Sequence, residues 1–188
     1  MGNSITFGVA ASSDANRWTS LFCTGKSATE DNRGVSGTFM EQNASCGGTA
    51  LPFDMTTIPA YNAGTHSALF ISYGINDVGI NTASFTPAGF KTDYQTAIDY
   101  AVSTRGWPVG RIILVNVYHP IDWTVYTTIG CSVVVAATDS RGEDYNDKIL
   151  ELANENGCFH VDIWSAAVDL EYFATISEVG TSFVVSEP

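Results

Sequence analysis

Basic residues are scarce. Five arginines and three lysines (Lys26, Lys91, Lys148) stand against 20 acidic residues, a formal net charge of −12. A surface of that sign repels phosphate backbones and anionic membrane faces, which argues against nucleic acid as a partner. Long apolar runs are missing too. Stretches such as Ile112 to Val115 and Val133 to Ala137 fall far short of the roughly 20 residues a membrane-crossing helix needs. No charged segment leading into an apolar one opens the chain, so no secretion signal is read there. The four cysteines (Cys23, Cys46, Cys131, Cys158) form no CxxC pair and, with the histidines, no zinc-site spacing. Two readings of them stay open. They are small buried hydrophobes, or they form a Cys23–Cys46 and a Cys131–Cys158 bridge in an oxidising compartment.

What is present fits one ordinary domain. The 188 residues, 45% of them hydrophobic, suffice for a core without staples. There is no internal repeat, linker or second domain, so residues 1–188 are read as a single unit. A lysine-poor chain rich in Ser, Thr, Ala and Gly has an extracellular or virion-associated character. Asn43-Ala44-Ser45 fits the glycosylation acceptor pattern, a triplet that also arises by chance.

Apolar periodicity sets out the elements. Ser12 to Cys23 reads as an amphipathic helix with Ser13 and Asp14 as capping candidates, ended by Gly25. Ala68 to Tyr73 is a compact apolar run, hence a buried strand. Phe90 to Thr104 repeats Tyr94, Ala97, Ile98, Ala101 and Val102 at helical spacing. Arg111 to Tyr118 is β-branched and almost wholly apolar, a strand closed by Pro120. Arg141 to Asn156 is a helix stopped by Gly157, and Phe159 to Ile163 is a last short strand. Thr127 to Ser140 reads as an insertion near one end of the sheet. Strands alternating with helices indicate an α/β fold with a mostly parallel sheet covered on both sides.

Three short blocks carry chemistry. Gly2-Asn3-Ser4 places a serine between an expected strand and a helix, where its hydroxyl projects at the sheet edge. A serine there also serves as an ordinary helix cap. Asn32-Arg33-Gly34-Val35-Ser36-Gly37 is a tight, glycine-bounded stretch. Gly74-Ile75-Asn76-Asp77 follows a buried strand. No Gly-x-Ser-x-Gly elbow occurs, which argues against the α/β-hydrolase arrangement.

In this order and at these distances, the three blocks resemble those of the SGNH (GDSL-type) esterase and lipase family. The resemblance implies a three-layer α/β/α sandwich with a mostly parallel, flavodoxin-like sheet. It implies Ser4 as nucleophile, with the Ser4 N–H, the Gly37 N–H and the Asn76 side-chain amide as oxyanion donors, and no metal or organic cofactor. Asn3 stands where the family more often has Asp. Tyr145-Asn146 and Val161-Asp162-Ile163 also look like family features, and Asp77 is read as holding its loop.

The family's base is a histidine in a late Asp-x-x-His block. None of His66, His119 and His160 follows Asp-x-x. His119, in His119-Pro120-Ile121-Asp122, is read as a loop histidine with no catalytic role, a base from this loop being geometrically conceivable; His160 is read as a half-buried structural residue and His66 as remote. With so few residues before Ser4, and with Glu178 to Pro188 resembling the approach to the missing block, the domain is expected to be incomplete at both ends. A hydrolase without its base retains only about 10³–10⁴-fold catalysis over water.

Two functions follow. One is a serine ester hydrolase acting on a small-molecule or glycan ester, with a polar rim from Tyr73, Trp123 and Tyr126 suited to carbohydrate O-acetyl or other short-chain acyl groups. The other is a catalytically impaired module for glycan binding or for assembly in an extracellular or viral particle. A partner chain completing a split site is a third idea.

Overall fold

The computed structural model describes residues 1–9, 11–42, 51–79, 85–117 and 139–165. His119, Trp123, Tyr126, Cys46, Cys131, the Asn43 triplet and the tail after Ser165 lie outside these. Helices α1 (Ser4–Phe7) and α2 (Trp18–Gly25) come first, followed by the two-residue strands β1 (Thr38–Phe39) and β2 (Leu51–Pro52). Strand β3 (Leu69–Ile71) leads into the short helix α3 (Ile75–Gly79) and the long helix α4 (Pro87–Ser103). Strand β4 (Ile112–Val115), helix α5 (Asp139–Asn156) and strand β5 (Phe159–Val161) complete the described chain. Among the described residues, no helix is long and apolar enough to cross a membrane.

The strands β3, β4 and β5 lie side by side and parallel, with Ile71 opposite Leu114 and Leu114 opposite His160. No regular strand precedes Ser4. Met1 and Gly2 take its place: Gly2 bridges Gly34 on one side and Ser72 on the other, both parallel. The Ser72 N–H donates to the Met1 carbonyl at 3.1 Å, and the Val35 N–H to that of Gly2 at 2.9 Å. Counting these bridges, the lateral order is the 33–35 segment, Met1–Gly2, β3, β4, β5. This is the 2-1-3-4-5 order of flavodoxin-like folds, whose switch point lies between the first and third strands.

The two faces are clothed differently. Leu69, Ile71, Ile112 and Leu114 are buried in a core shared with Tyr94, Ala97, Ile98 and Ala101 of α4 and Tyr145, Ile149 and Leu152 of α5. On the other face Phe70 meets the rings of Trp18 and Phe22 from α2 edge-on. Helix, sheet, helix is the three-layer arrangement expected.

The long periodic elements came out within a few residues of their expected bounds. Helix α4 begins earlier because Thr86 caps it, its hydroxyl accepting from the Gly89 N–H at 3.0 Å, with Pro87 at the first position. The expected helix from Ser12 is split. Asp14–Asn16 is a 3₁₀ turn, and Arg17 in extended conformation (φ −74°, ψ 150°) separates it from α2. Arg17 is held there by Glu30 and Ser20, contacts a continuous helix would forgo. Cys23 and Cys158 stand as free thiols; Cys46 and Cys131, their partners in the bridged reading, lie outside the described residues.

Candidate functional site

The parallel pairing brings the three sequence blocks to one edge. Gly2 pairs with both Gly34 and Ser72, so Ser4, Gly37 and Asn76 each lie a few residues beyond a shared level, at the carboxyl ends of three adjacent strands. Ser4 and Asn76 flank the switch point, where open α/β sheets bind ligands.

Close backbone approach at this edge requires glycine. A Cβ on Gly34 would lie 2.3 Å from the Phe7 nitrogen, inside α1, and one on Gly2 would strike the Thr6 side chain and the Ser72 carbonyl. Gly74 sits at φ +122° with Val117 where its Cβ would be. Asn3 fixes the turn by accepting the Ile5 N–H at 3.0 Å through its side chain, leaving Ser4, half-buried, as the first residue of α1. Asn32 ties the second block to α1. Its amide donates to the Thr6 carbonyl at 2.6 Å, and its oxygen accepts the Gly34 N–H at 2.8 Å.

Gly37 has φ +79° and precedes β1. Asn76 is buried, and its Nδ2 donates to the Thr38 carbonyl at 2.6 Å. A primary amide carries two N–H groups, so this bond orients Asn76 and leaves a second hydrogen. Asp77 is fully buried and accepts the Met40 N–H at 2.9 Å and the Glu41 N–H at 3.0 Å, so its carboxylate holds the 40–41 segment. Sequence reasoning missed two further carboxylates. Asp93 of α4 accepts the Gln42 N–H at 2.6 Å, and Glu41, itself buried, accepts the Thr86 N–H at 3.1 Å. Burial pushes the Glu41 carboxyl up to about 7 and that of Asp77 up to about 6.

The histidines divide as follows. His66 accepts the Asn62 N–H and stacks on Trp107, at the opposite end of β3. His160 in β5 bonds Asn116, whose amide donates to Asp162 at 2.9 Å; burial lowers its pKa, against the pull of Asp162. Neither is hydrogen-bonded to Ser4. Tyr73 is buried, which removes it from the expected polar rim. An apolar cavity of about 480 Å³ lies where the sheet meets α1 and α2, its lining including Asn3, Ile5, Trp18, Phe22, Phe70 and Ile75 but not Ser4. Among the described residues no cluster of ligands suits a metal ion.

A flavodoxin-ordered sheet with serine, glycine and asparagine gathered at its switch point defines the scaffold of an SGNH-type hydrolase. Residues 1–175 match the GDSL-like Lipase/Acylhydrolase family, and the chain belongs to that family. Its fold is similar to that of AlinE4, an SGNH-hydrolase family esterase (TM-score 0.59, 13% identity, covering 98% of this chain and 84% of that one). It is also similar to a carbohydrate acetylesterase family member from Sinorhizobium meliloti (0.57, 17%, 86% and 80%). A third likeness is to a lipase/acylhydrolase from Enterococcus faecalis (0.55, 16%, 88% and 74%). No curated protein matches the chain significantly in sequence.

Proposed function

We propose that the protein is a serine ester hydrolase in which Ser4 attacks an acyl carbonyl, the ester C–O bond breaks to release the alcohol, and water then hydrolyses the acyl-enzyme to the free acid. The observation that carries this is the pairing of Gly2 with Gly34 and Ser72, which assembles Ser4, Gly37 and Asn76 at one sheet edge. The Ser4 and Gly37 N–H groups and the second Asn76 amide hydrogen are the donors for the tetrahedral oxyanion. Each such donor is worth about 3–4 kcal/mol of transition-state stabilisation. The Ser4 proton requires a base, which the family places in an Asp-x-x-His block. A metal or organic cofactor plays no part in this chemistry.

The substrate we infer is a carbohydrate O-acetyl or other short-chain acyl ester. What supports it is that a carbohydrate acetylesterase family member shares the fold. The test is labelling with a fluorophosphonate, read by intact mass and peptide mapping, alongside p-nitrophenyl acetate turnover. The expected result is one adduct, on Ser4, with both adduct and turnover lost in Ser4→Ala. Glycan binding without labelling or turnover would instead favour a binding module.

A further inference from the structure

The segment 38–42, which continues directly from Gly37, is hung from side chains of other elements. Asn76 of α3 takes the Thr38 carbonyl, and Asp77 of α3 takes the Met40 and Glu41 N–H groups. Asp93 of α4 takes the Gln42 N–H. Glu41 turns back to the Thr86 N–H at the head of α4, where Gly89 leaves it room: a Cβ there would lie 2.2 Å from the Glu41 Oε1. Three carboxylates are thus buried together. Arg141 of α5 is the cation at this site. It donates to the carbonyls of Val78, Asp77 and Phe85 and to the Tyr145 hydroxyl.

For stability alone this is a poor arrangement, since crowding buried anions costs more than neutral amides or hydroxyls in the same bonds would. Ionised carboxylates do one thing neutral groups do less well, which is to grip backbone N–H donors with short, charge-assisted bonds. Asp77 uses both oxygens, Oδ1 at 2.9 Å and Oδ2 at 3.1 Å from the Met40 nitrogen.

We propose that Asp77, seconded by Glu41 and Asp93, positions the Gly37 peptide for oxyanion binding. The inference rests on the hydrolase reading and deepens it. Burial raises the Asp77 carboxyl to about 6 and that of Glu41 to about 7, so the closed clamp holds protons more tightly than exposed carboxyls would. The groups that face them are each other, Asp93 and Tyr94 of α4, Arg141 and Tyr145 of α5, and Tyr73 after β3. Arg141 opposes protonation of both carboxylates, while the neighbouring carboxylates favour that of Glu41.

The test pairs kinetics with amide hydrogen exchange in the full chain, wild type and Asp77→Asn, from pH 5 to 9. Asp77→Asn keeps the side-chain shape and removes the charge. The expected kinetic result is a kcat for p-nitrophenyl acetate lowered roughly 10²-fold, the scale of a misplaced catalytic group, with KM within about twofold. In wild type the Met40, Glu41 and Gln42 amides, each held by a carboxylate, are protected once corrected for intrinsic exchange. In the variant the Met40 and Glu41 amides exchange faster, because the charge and the second acceptor are lost, while Gln42, held by Asp93, changes less. If Asp77→Asn does not fold, Glu41→Gln is read in its place, with protection altered at Thr86. Wild-type kcat in a folded variant, or Met40 and Glu41 amides protected in it as well as in wild type, overturns the proposal. Turnover in wild type that does not depend on Ser4 removes the hydrolase reading and the clamp's catalytic purpose, while the exchange data still decide whether the clamp exists.

Discussion

Gly34→Ala probes the contact on which the site is built. The new Cβ would stand 2.3 Å from the Phe7 nitrogen and 2.8 Å from both the Phe7 Cα and the Thr6 carbonyl carbon. Ordinary contact begins near 3.4 Å, so α1 must retreat by about 1 Å. All three atoms are backbone, so no side-chain rotation relieves the clash. Overpacking of this kind costs about 1–3 kcal/mol, and the rigid neighbours place it at the upper end. At about 2–4 °C per kcal/mol for a chain of this size, the melting temperature should fall by about 6–12 °C. Ser4 rides on α1, and a displacement of about 1 Å in a reacting group costs about 10²-fold in rate. Thermal unfolding and p-nitrophenyl acetate hydrolysis read the two effects separately. Gly110→Ala is the control, since nothing lies within 4 Å of its Cβ position. A Gly34→Ala protein that melts within about 1 °C of wild type and keeps its kcat would refute the close packing of the glycine block against α1.

Three further outcomes are expected. Folding raises the Glu41 carboxyl from 4.5 to about 7 and that of Asp77 from 3.8 to about 6. The native state therefore binds more protons than the unfolded chain between about pH 4 and 7, and stability from these groups declines as pH rises through that window, by of order 3 kcal/mol each. Urea unfolding at pH 5 and pH 7.5 measures the decline, and Glu41→Gln should flatten it. Gly25→Ala, at an open position in the last turn of α2, should stabilise by roughly 0.5–1 kcal/mol in the same assay; a loss would mean that α2 ends earlier. Asn32→Ala strands the Thr6 carbonyl and the Gly34 N–H and should cost about 1–3 kcal/mol, with Ser4-dependent activity falling alongside; an unchanged urea midpoint would show that water replaces both bonds.

The sequence announced what is local. Helices α4 and α5 and strand β4 were legible because their apolar periods run long enough to outweigh end effects. The Ser4, Gly37 and Asn76 blocks were legible because each is a short turn with its own residue chemistry. Arg17 broke the expected helix from Ser12 because its ion pair with Glu30 is a tertiary contact that propensity does not register. The two-residue pairing of Met1–Gly2 was too short for any strand signal. The Glu41 and Asp93 clamp escaped notice for a similar reason. Gln42 meets Asp93 across 51 positions and Thr86 meets Glu41 across 45, so neither pair leaves a local pattern. The usable hint was a glutamate near the glycine block together with a glycine in the first turn of the helix that receives it. Tyr73 was misjudged as a rim residue because a tyrosine at a strand end has the same letter whether it faces water or core.

The account's central claim concerns where an oxyanion would sit. The most direct measurement is a crystal structure of the protein after reaction with a phosphonate ester. The prediction is phosphorus bonded to Ser4 Oγ, with the phosphonyl oxygen 2.7–3.1 Å from the Gly37 nitrogen and the Asn76 Nδ2, the distances at which such donors act. An adduct on another residue, or a Ser4 adduct whose oxygen turns away from Gly37 and Asn76, would contradict it.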